Sequence, residues 1–401
     1  MTLLAWELKK LLKHRLTRVL LGLCLVLVTA EPLALGFANL GFGTEVASPT
    51  WESRARVVQA TADAAAWHGP LTPAVLRAAR QDCRTVLESG GRVDGQTAFV
   101  QGDILYTAAE VMVDAGILPW QDWAAGMTAL DDDTLTACDA LWQQAADRQI
   151  AAAPAAWQDT LRALKDRVAQ PFTYDWTAGH ESVLAMLGNI MFLVGLLLSA
   201  AVLPLFCGEV RTRVYTVSHC ARRGRGALAA AKLAAALLFA GGAFAVCMGV
   251  FVAVQLAMFG SRALSASLQI ADFRCLFPLT LGQAEALLLG AGLLSCLAAT
   301  ALAAALSAAF DGEFPALAAL AGILVFLRGL IASGFLAGPL DFLLRAVPFL
   351  AGLSDLTGNA LLTLPGGRVL PALLYQMAVQ PLWLVVLLPL AGRAYVRRPH
   401  P

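Results

Sequence analysis

Six stretches of the chain hold about 20 consecutive, mostly apolar residues, the length a helix needs to cross a bilayer. They cover 17–39, 183–207, 229–259, 281–309, 316–336 and 371–392. Ahead of the first, polar and apolar positions separate on a helical wheel. Leu4, Leu8, Leu11 and Leu12 share one face, while Lys9, Lys10, Lys13 and His14 lie opposite. That pattern predicts an amphipathic helix in the interface plane, its lysines towards anionic headgroups. Between the first two apolar stretches lies a polar region, 41–182, with another rhythm. "TPAVLRAARQDCRTVLES" and "DDDTLTACDALWQQAADRQIAA" repeat apolar residues at three- and four-residue spacing, and Asp131 to Asp133 favour a helix N-terminus. Strand-type alternation is not found there, so a helical globular domain is expected.

The fold class that follows is an all-α polytopic membrane protein with six transmembrane helices. Its expected organisation is an amphipathic interfacial helix (1–15), a first span (16–40), an extracytoplasmic helical domain (41–182), a second span (183–207), a cytoplasmic loop (208–228) and a block of four spans with a basic tail (229–401). Within that block, 337–370 is too apolar for a free loop and too interrupted for a span. "PLDFLLRAVPFLAG" and "LTGNALLTLPGGRVLP" suit short re-entrant or interfacial helices before the sixth span, buried against protein where loose backbone groups find partners. The third span, at 1.5 Å per residue, is near 46 Å long against a hydrocarbon core of about 30 Å. It must tilt, project into the cytoplasm or break near Gly241–Gly242. Spans three and four are rich in small residues, which let helix backbones approach closely in lipid.

Composition agrees. The 401 residues are 58% hydrophobic and only 14% charged, where a soluble domain carries nearer a quarter, about 25%. A signal-peptide reading of "VLLGLCLVLVTA", cleaved after Ala30, competes for the first span. The apolar run resumes past Glu31 and Pro32 as "LALGFANLGF", which favours a retained span.

Charge sets the orientation. Lys9, Lys10, Lys13, Arg15 and Arg18 precede span one. Arg211, Arg213, Arg222, Arg223 and Arg225 follow span two, and Arg393, Arg397 and Arg398 lie at the end of span six. With six spans these clusters share one side, which the positive-inside rule makes the cytoplasm, with both termini there. The region 41–182 then faces outward, with 19 acidic and 10 basic residues. Its two cysteines, Cys83 and Cys138, are a possible disulfide in a compartment that permits one, with free buried thiols the other reading. Cys24, Cys207, Cys247 and Cys296 lie in or beside apolar spans, as small core residues do.

Catalytic and cofactor signatures are missing. The sequence holds no HExxH, GxSxG or EF-hand pattern and no Cys/His spacing for zinc. "GGRVDGQT" (Gly90 to Thr97) imitates a phosphate loop but has Gln96 in place of the lysine, no preceding strand, and the wrong side for ATP. No cofactor, metal, catalytic residue or nucleic-acid partner is expected, and membrane lipid is the expected surrounding. The intramembrane polar candidates are Glu31, Glu285 and Arg328. Glu285 and Arg328 lie about 6 Å and 12 Å below the outer surface by helical rise, near enough to pair, either structurally or along a substrate path.

The layout resembles the permease subunits of ABC-2 type exporters. The stretch "CGEVRTRVYTVSHCARRGRG" carries the most specific part: Glu209 closing span two, then Ser218, Arg225 and Lys232 leading into span three, with Arg213–Val214 where that family often has Gly-Thr. The resemblance implies a coupling loop (Glu209, Arg211, Arg213, Tyr215, Val217, Arg222, Arg223, Arg225) that docks on a separate ABC ATPase subunit. It also implies a second permease copy or a related permease, and no catalysis in this chain. A membrane-anchored sensor or scaffold with an outer ligand-binding domain, and a secondary transporter, are the alternatives.

Overall fold

A computed structural model describes residues 2–39, 58–91, 93, 99–211, 224–332 and 341–397. Helix α1 (Leu3–Lys13) starts at Thr2, whose hydroxyl accepts from the Ala5 N–H, and stops at the extended backbone of His14. The chain re-enters at once as α2 (Arg15–Asn39), the first span. The outer region is described from residue 58, where helical residues 58–63 and a 3-10 turn (Ala64–Ala66) lead to the two-residue strand β1 (Gly69–Pro70), followed by α3 (Pro73–Glu88) and α4 (Phe99–Asp114). Helices α5 (Trp123–Ala129), α6 (Asp132–Thr136), α7 (Cys138–Ala152) and α8 (Ala155–Lys165) follow, and β2 (Thr173–Tyr174) returns antiparallel to β1. Helix α3 starts where the Thr72 hydroxyl caps Val75 N–H and Pro73 supplies the first helical residue. The acidic run starts α6, with the Asp131 carboxylate accepting from Thr134 N–H at 2.7 Å. The helix expected through 131–152 is broken once, at Ala137.

The second span is α9 (Ala178–Val202), prolonged by α10 (Pro204–Arg211). It begins earlier than its apolar run, inside the stretch read as outer domain. Helix α11 (Gly224–Phe259) is the third span. It is continuous for 36 residues, about 54 Å, so the break near Gly241–Gly242 does not occur. Small α12 (Leu268–Ala271) interrupts the outer loop before α13 (Leu281–Ala309), the fourth span. Helix α14 (Glu313–Ala332) is the fifth. Two short helices, α15 (Asp341–Leu344) and α16 (Leu353–Thr357), precede an antiparallel hairpin of β3 (Leu361–Thr363) and β4 (Val369–Pro371). The sixth span, α17 (Ala372–Arg397), runs through Pro381 and Pro389 without ending. The expectation of short helices in 337–370 is met at α15 and α16, whereas its last third is the hairpin.

All six spans are long and apolar enough to cross a membrane. Helices α9 and α13 are the enclosed ones, with 72% and 61% of their most apolar windows buried, against 17% for α14 and α17. The membrane core is therefore built around that central pair. Gly195 on α9 shows why small residues matter: a Cβ there would sit 2.0 Å from the Phe349 ring. The segment carrying Phe349 runs along α9 from Gly195 to Gly188, about 15–25 Å from that helix's outer end by helical rise. It is re-entrant, as expected, and its loose carbonyls are met by side chains. Arg328 donates to Phe349 O at 2.6 Å, and Trp383 and Gln380 donate to Ala346 O at 2.9 and 3.3 Å. Phe349 itself has φ +65°, a left-handed conformation that costs a non-glycine residue about 1–2 kcal/mol. Its ring packing and bonded carbonyl hold it there.

The outer body has its own core: Leu76, Cys83, Ile104, Met112, Trp142 and Tyr174 among others. Residues from distant parts of the sequence complete it. Ile270, Phe273 and Leu276 come from the loop between spans three and four, and Leu361 from the hairpin. Trp142 Nε1 donates to Phe273 O at 2.7 Å, and Trp157 Nε1 to the Thr363 hydroxyl at 3.0 Å. Ser267 and Thr173 exchange bonds of 2.9 Å, tying that loop to β2. Three separate outer segments thus fold as one body on the membrane core.

Candidate functional site

At the end of the bundle where the basic clusters gather, three helices bring charged groups into the interior and a fourth adds a hydroxyl. Lys232, in the third turn of α11, is fully buried; its ammonium donates to Glu7 Oε2 at 2.8 Å and to Glu209 Oε1 at 2.7 Å. Lys10 donates to the same Glu209 oxygen, and the Tyr395 hydroxyl donates to Glu209 Oε2 at 3.1 Å. Glu7 and Lys10 belong to α1, Glu209 to α10, Lys232 to α11 and Tyr395 to α17. Two carboxylates and two ammoniums cancel. Burial of such charges is tolerable only because each is paired and hydrogen-bonded.

Local sequence explains how the groups converge. Glu7 falls within the apolar stripe of α1, between Leu4, Leu8 and Leu11, so it turns inward with Leu11. The lysines follow the expected polar face: Lys9 and Lys13 are exposed, while Lys10 reaches the knot from its edge. Glu209 is aimed by the interruption between α9 and α10. Pro204 has no N–H for the helix ladder, and Ser307 of α13 repairs the gap. Its hydroxyl donates to Leu203 O at 2.6 Å and accepts from the N–H groups of Phe206 and Cys207 at 3.2 Å each. The Phe206 ring packs on that of Tyr395, whose hydroxyl reaches Glu209, with ring centroids 4.8 Å apart. A cavity of about 40 Å³ adjoins Glu7, Lys10 and His14, room for one or two waters.

Glu209 and Lys232 flank the basic loop. Arg211 closes α10 and half-buried Arg225 opens α11, whereas Arg213, Tyr215, Val217, Arg222 and Arg223 lie outside the described residues. The knot therefore ties both roots of that loop to α1 and α17. Glu209, Lys10 and Lys232 were visible in the sequence as charges near span ends. Glu7 was missed; the available signal was an acid on the apolar stripe of an otherwise basic helix.

The intramembrane charges are arranged differently from the expected pair. Glu285 does not meet Arg328. Its carboxylate lies 2.7 Å from His180 Nδ1, both groups buried in the first turns of α13 and α9. Arg328 donates to Phe349 O and, at 3.0 Å, to Asn189 Oδ1, and its guanidinium lies 4.5 Å from the Phe192 ring centre. Each charge has a nearer partner on α9 or the re-entrant segment, which depth along the helices alone did not reveal. Glu31 lies on α2 with Oε2 buried and without a hydrogen-bond partner among the described residues. Cys83 and Cys138 are free thiols, not a disulfide: Cys83 is fully buried on α3 and Cys138 begins α7. Burial pushes both thiols up to about 12.

Among the described residues no group of three or more His, Cys, Asp or Glu side chains is placed to hold a metal ion. These features define a mostly helical, six-span, multi-pass protein of the cell membrane. Compared with protein-family models, curated proteins and solved structures, the chain matches none.

Proposed function

We propose that the chain is the membrane permease subunit of an ABC-2 type exporter, working with a separate ABC ATPase subunit and a second permease copy or a related permease. The observation that carries the reading is the buried knot at the roots of the basic loop. A loop that only held topology would need positive charge and nothing more. Here Glu209 and Lys232 lock its two ends to the leading amphipathic helix and the last span. A push on the loop then moves α10, α11, α1 and α17 together. Rigid roots at both ends of a basic segment suit force transfer from a soluble motor, with Tyr215 and Val217 as apolar anchors and the arginines setting orientation. ATP hydrolysis belongs to the partner.

The test is affinity purification of the full chain in mild detergent, followed by identification of a co-purifying ATPase. The variant Tyr215→Ala/Val217→Ala is expected to lose that ATPase while inserting normally. Retention of the ATPase and of transport by the double variant rejects the coupling role. Cysteine labelling tests the orientation: a Gly90→Cys variant is expected to react from outside intact cells.

A further inference from the structure

A cleft of about 350 Å³ opens on the outer body between the end of α4, helix α7 and the 272–276 loop. Its polar wall holds Asp114, Arg148 and Arg274; its apolar wall includes Ala146, Phe273 and Leu276. Arg148 donates to Asp114 Oδ2 at 2.9 Å. Arg274 is placed otherwise. Its nearest carboxylate oxygen in an ion pair, Asp114 Oδ1, is 3.6 Å away, beyond hydrogen-bond distance, and its guanidinium stands 5.3 Å from the Phe273 ring centre. Among the described residues that guanidinium donates no hydrogen bond, although it is a group with five donors.

The backbone beneath it is held firmly. Asn359 Nδ2 donates to Arg274 O at 2.8 Å, Arg274 N–H donates to Asp272 Oδ1 at 3.0 Å, and Trp142 Nε1 bonds the preceding carbonyl. Asn359 Oδ1 also accepts from Leu276 N–H at 2.8 Å. A rigid loop therefore presents Arg274 with its side chain 64% exposed and, among the described residues, no hydrogen bond from its guanidinium, and the fixed backbone lowers the ordering cost of binding. Three carboxylates lie near it, and among the described residues none accepts a hydrogen bond from its guanidinium. Asp272 is committed to its own turn, Asp114 is shared with Arg148, and Glu110 is held partly protonated near neutral pH because burial pushes it up to about 7.

We propose that this cleft binds a carboxylate or phosphate oxyanion carried on an apolar body, the oxyanion received by Arg274 and Arg148 and the body resting on Ala145 and the edge of Phe273. Guanidinium groups match such oxyanions with paired, charge-assisted hydrogen bonds. The site competes with Asp114 for Arg148. Because its wall joins the outer helices to the loop between spans three and four and, through Asn359, to the segment before span six, occupancy stiffens the junction between outer body and membrane core. The anion arrives as a free solute or as a lipid headgroup, Leu276 being close to the start of α13.

The probe is benzoate, titrated by ligand-observed NMR against the full-length chain in detergent. Saturable binding is expected, weakened about tenfold or more in Arg274→Gln and in Arg148→Gln, as the loss of a charge-assisted bond requires. Asp114→Asn, which removes the competing carboxylate, is expected to bind more tightly. Arg162→Gln, whose arginine pairs with Asp159 on α8, should match the wild type. Melting of the benzoate-free variants reports whether they are folded. In nanodiscs, loss of benzoate binding with anionic but not zwitterionic lipid identifies the headgroup as occupant; equal binding in both identifies a free solute. The proposal is overturned if neither the wild type nor Asp114→Asn shows saturable binding at millimolar benzoate, or if folded Arg274→Gln and Arg148→Gln bind as the wild type does.

Discussion

Replacing Lys232 with Met is the sharpest test of the buried knot. Methionine keeps much of the side-chain volume and removes the charge. Lys232 has no exposed surface, and its two carboxylate partners, Glu7 and Glu209, are 2% and 5% exposed. Without it, Glu7 loses its partner, and Glu209 keeps Lys10, whose side chain is 42% exposed. Removing one partner of a buried ion pair costs about 3–5 kcal/mol, because the remaining charge stays desolvated and uncompensated. At a few degrees per kcal/mol, the apparent Tm falls by something on the order of 10 °C. The assay is thermal unfolding of the purified full chain in detergent, followed by tryptophan fluorescence. Adding Glu7→Gln removes the orphaned acid and leaves Glu209 held by Lys10 and Tyr395. The double variant should therefore recover part of the loss, with a coupling of about 2 kcal/mol across the cycle. A Tm for Lys232→Met within about 1 °C of the wild type, or a cycle additive to about 0.5 kcal/mol, refutes the reasoning.

Three further outcomes follow from other parts of the structure. The cycle Glu285→Gln with Arg328→Met should be additive in thermal stability, whereas Glu285→Gln with His180→Phe should couple, since only the second pair is in contact. Gly195→Leu should destabilise the protein by more than Gly242→Leu, since the first side chain meets the Phe349 ring and the second meets open space; equal yields and melting points would contradict the packing. In the outer body, burial raises Asp103 to about 6 and Glu110 to about 7, above ordinary carboxylates. Because the folded state holds these protons more tightly, their stabilising contribution is full below about pH 4 and is lost as pH rises towards 7. Asp103→Asn/Glu110→Gln should flatten that decline in a melting series from pH 4 to about pH 8; an unchanged slope would show that they do not titrate there.

The six spans, the leading amphipathic helix and the helical outer region were legible from residue order because each depends on a local property. A run of Leu, Val and Ala has to leave water, and a 3.6-residue period puts Leu4 and Lys9 on opposite faces. The outer Asp131 cap is likewise set by a few neighbours. Partner choice among buried charges was not legible. Glu285 and Arg328 looked like a pair because helical rise gives only depth, and depth does not distinguish one neighbouring helix from another. The bundle decides that α9 runs between them, offering His180 to one and Asn189 to the other. The same holds for Lys232, whose partner Glu7 is 225 positions away. Nor could periodicity show that the outer core takes Phe273 and Leu361 from segments that look like connecting loops. Apolar side chains bury wherever the tertiary arrangement brings a matching surface, and a linear sequence records the need for burial but not the place.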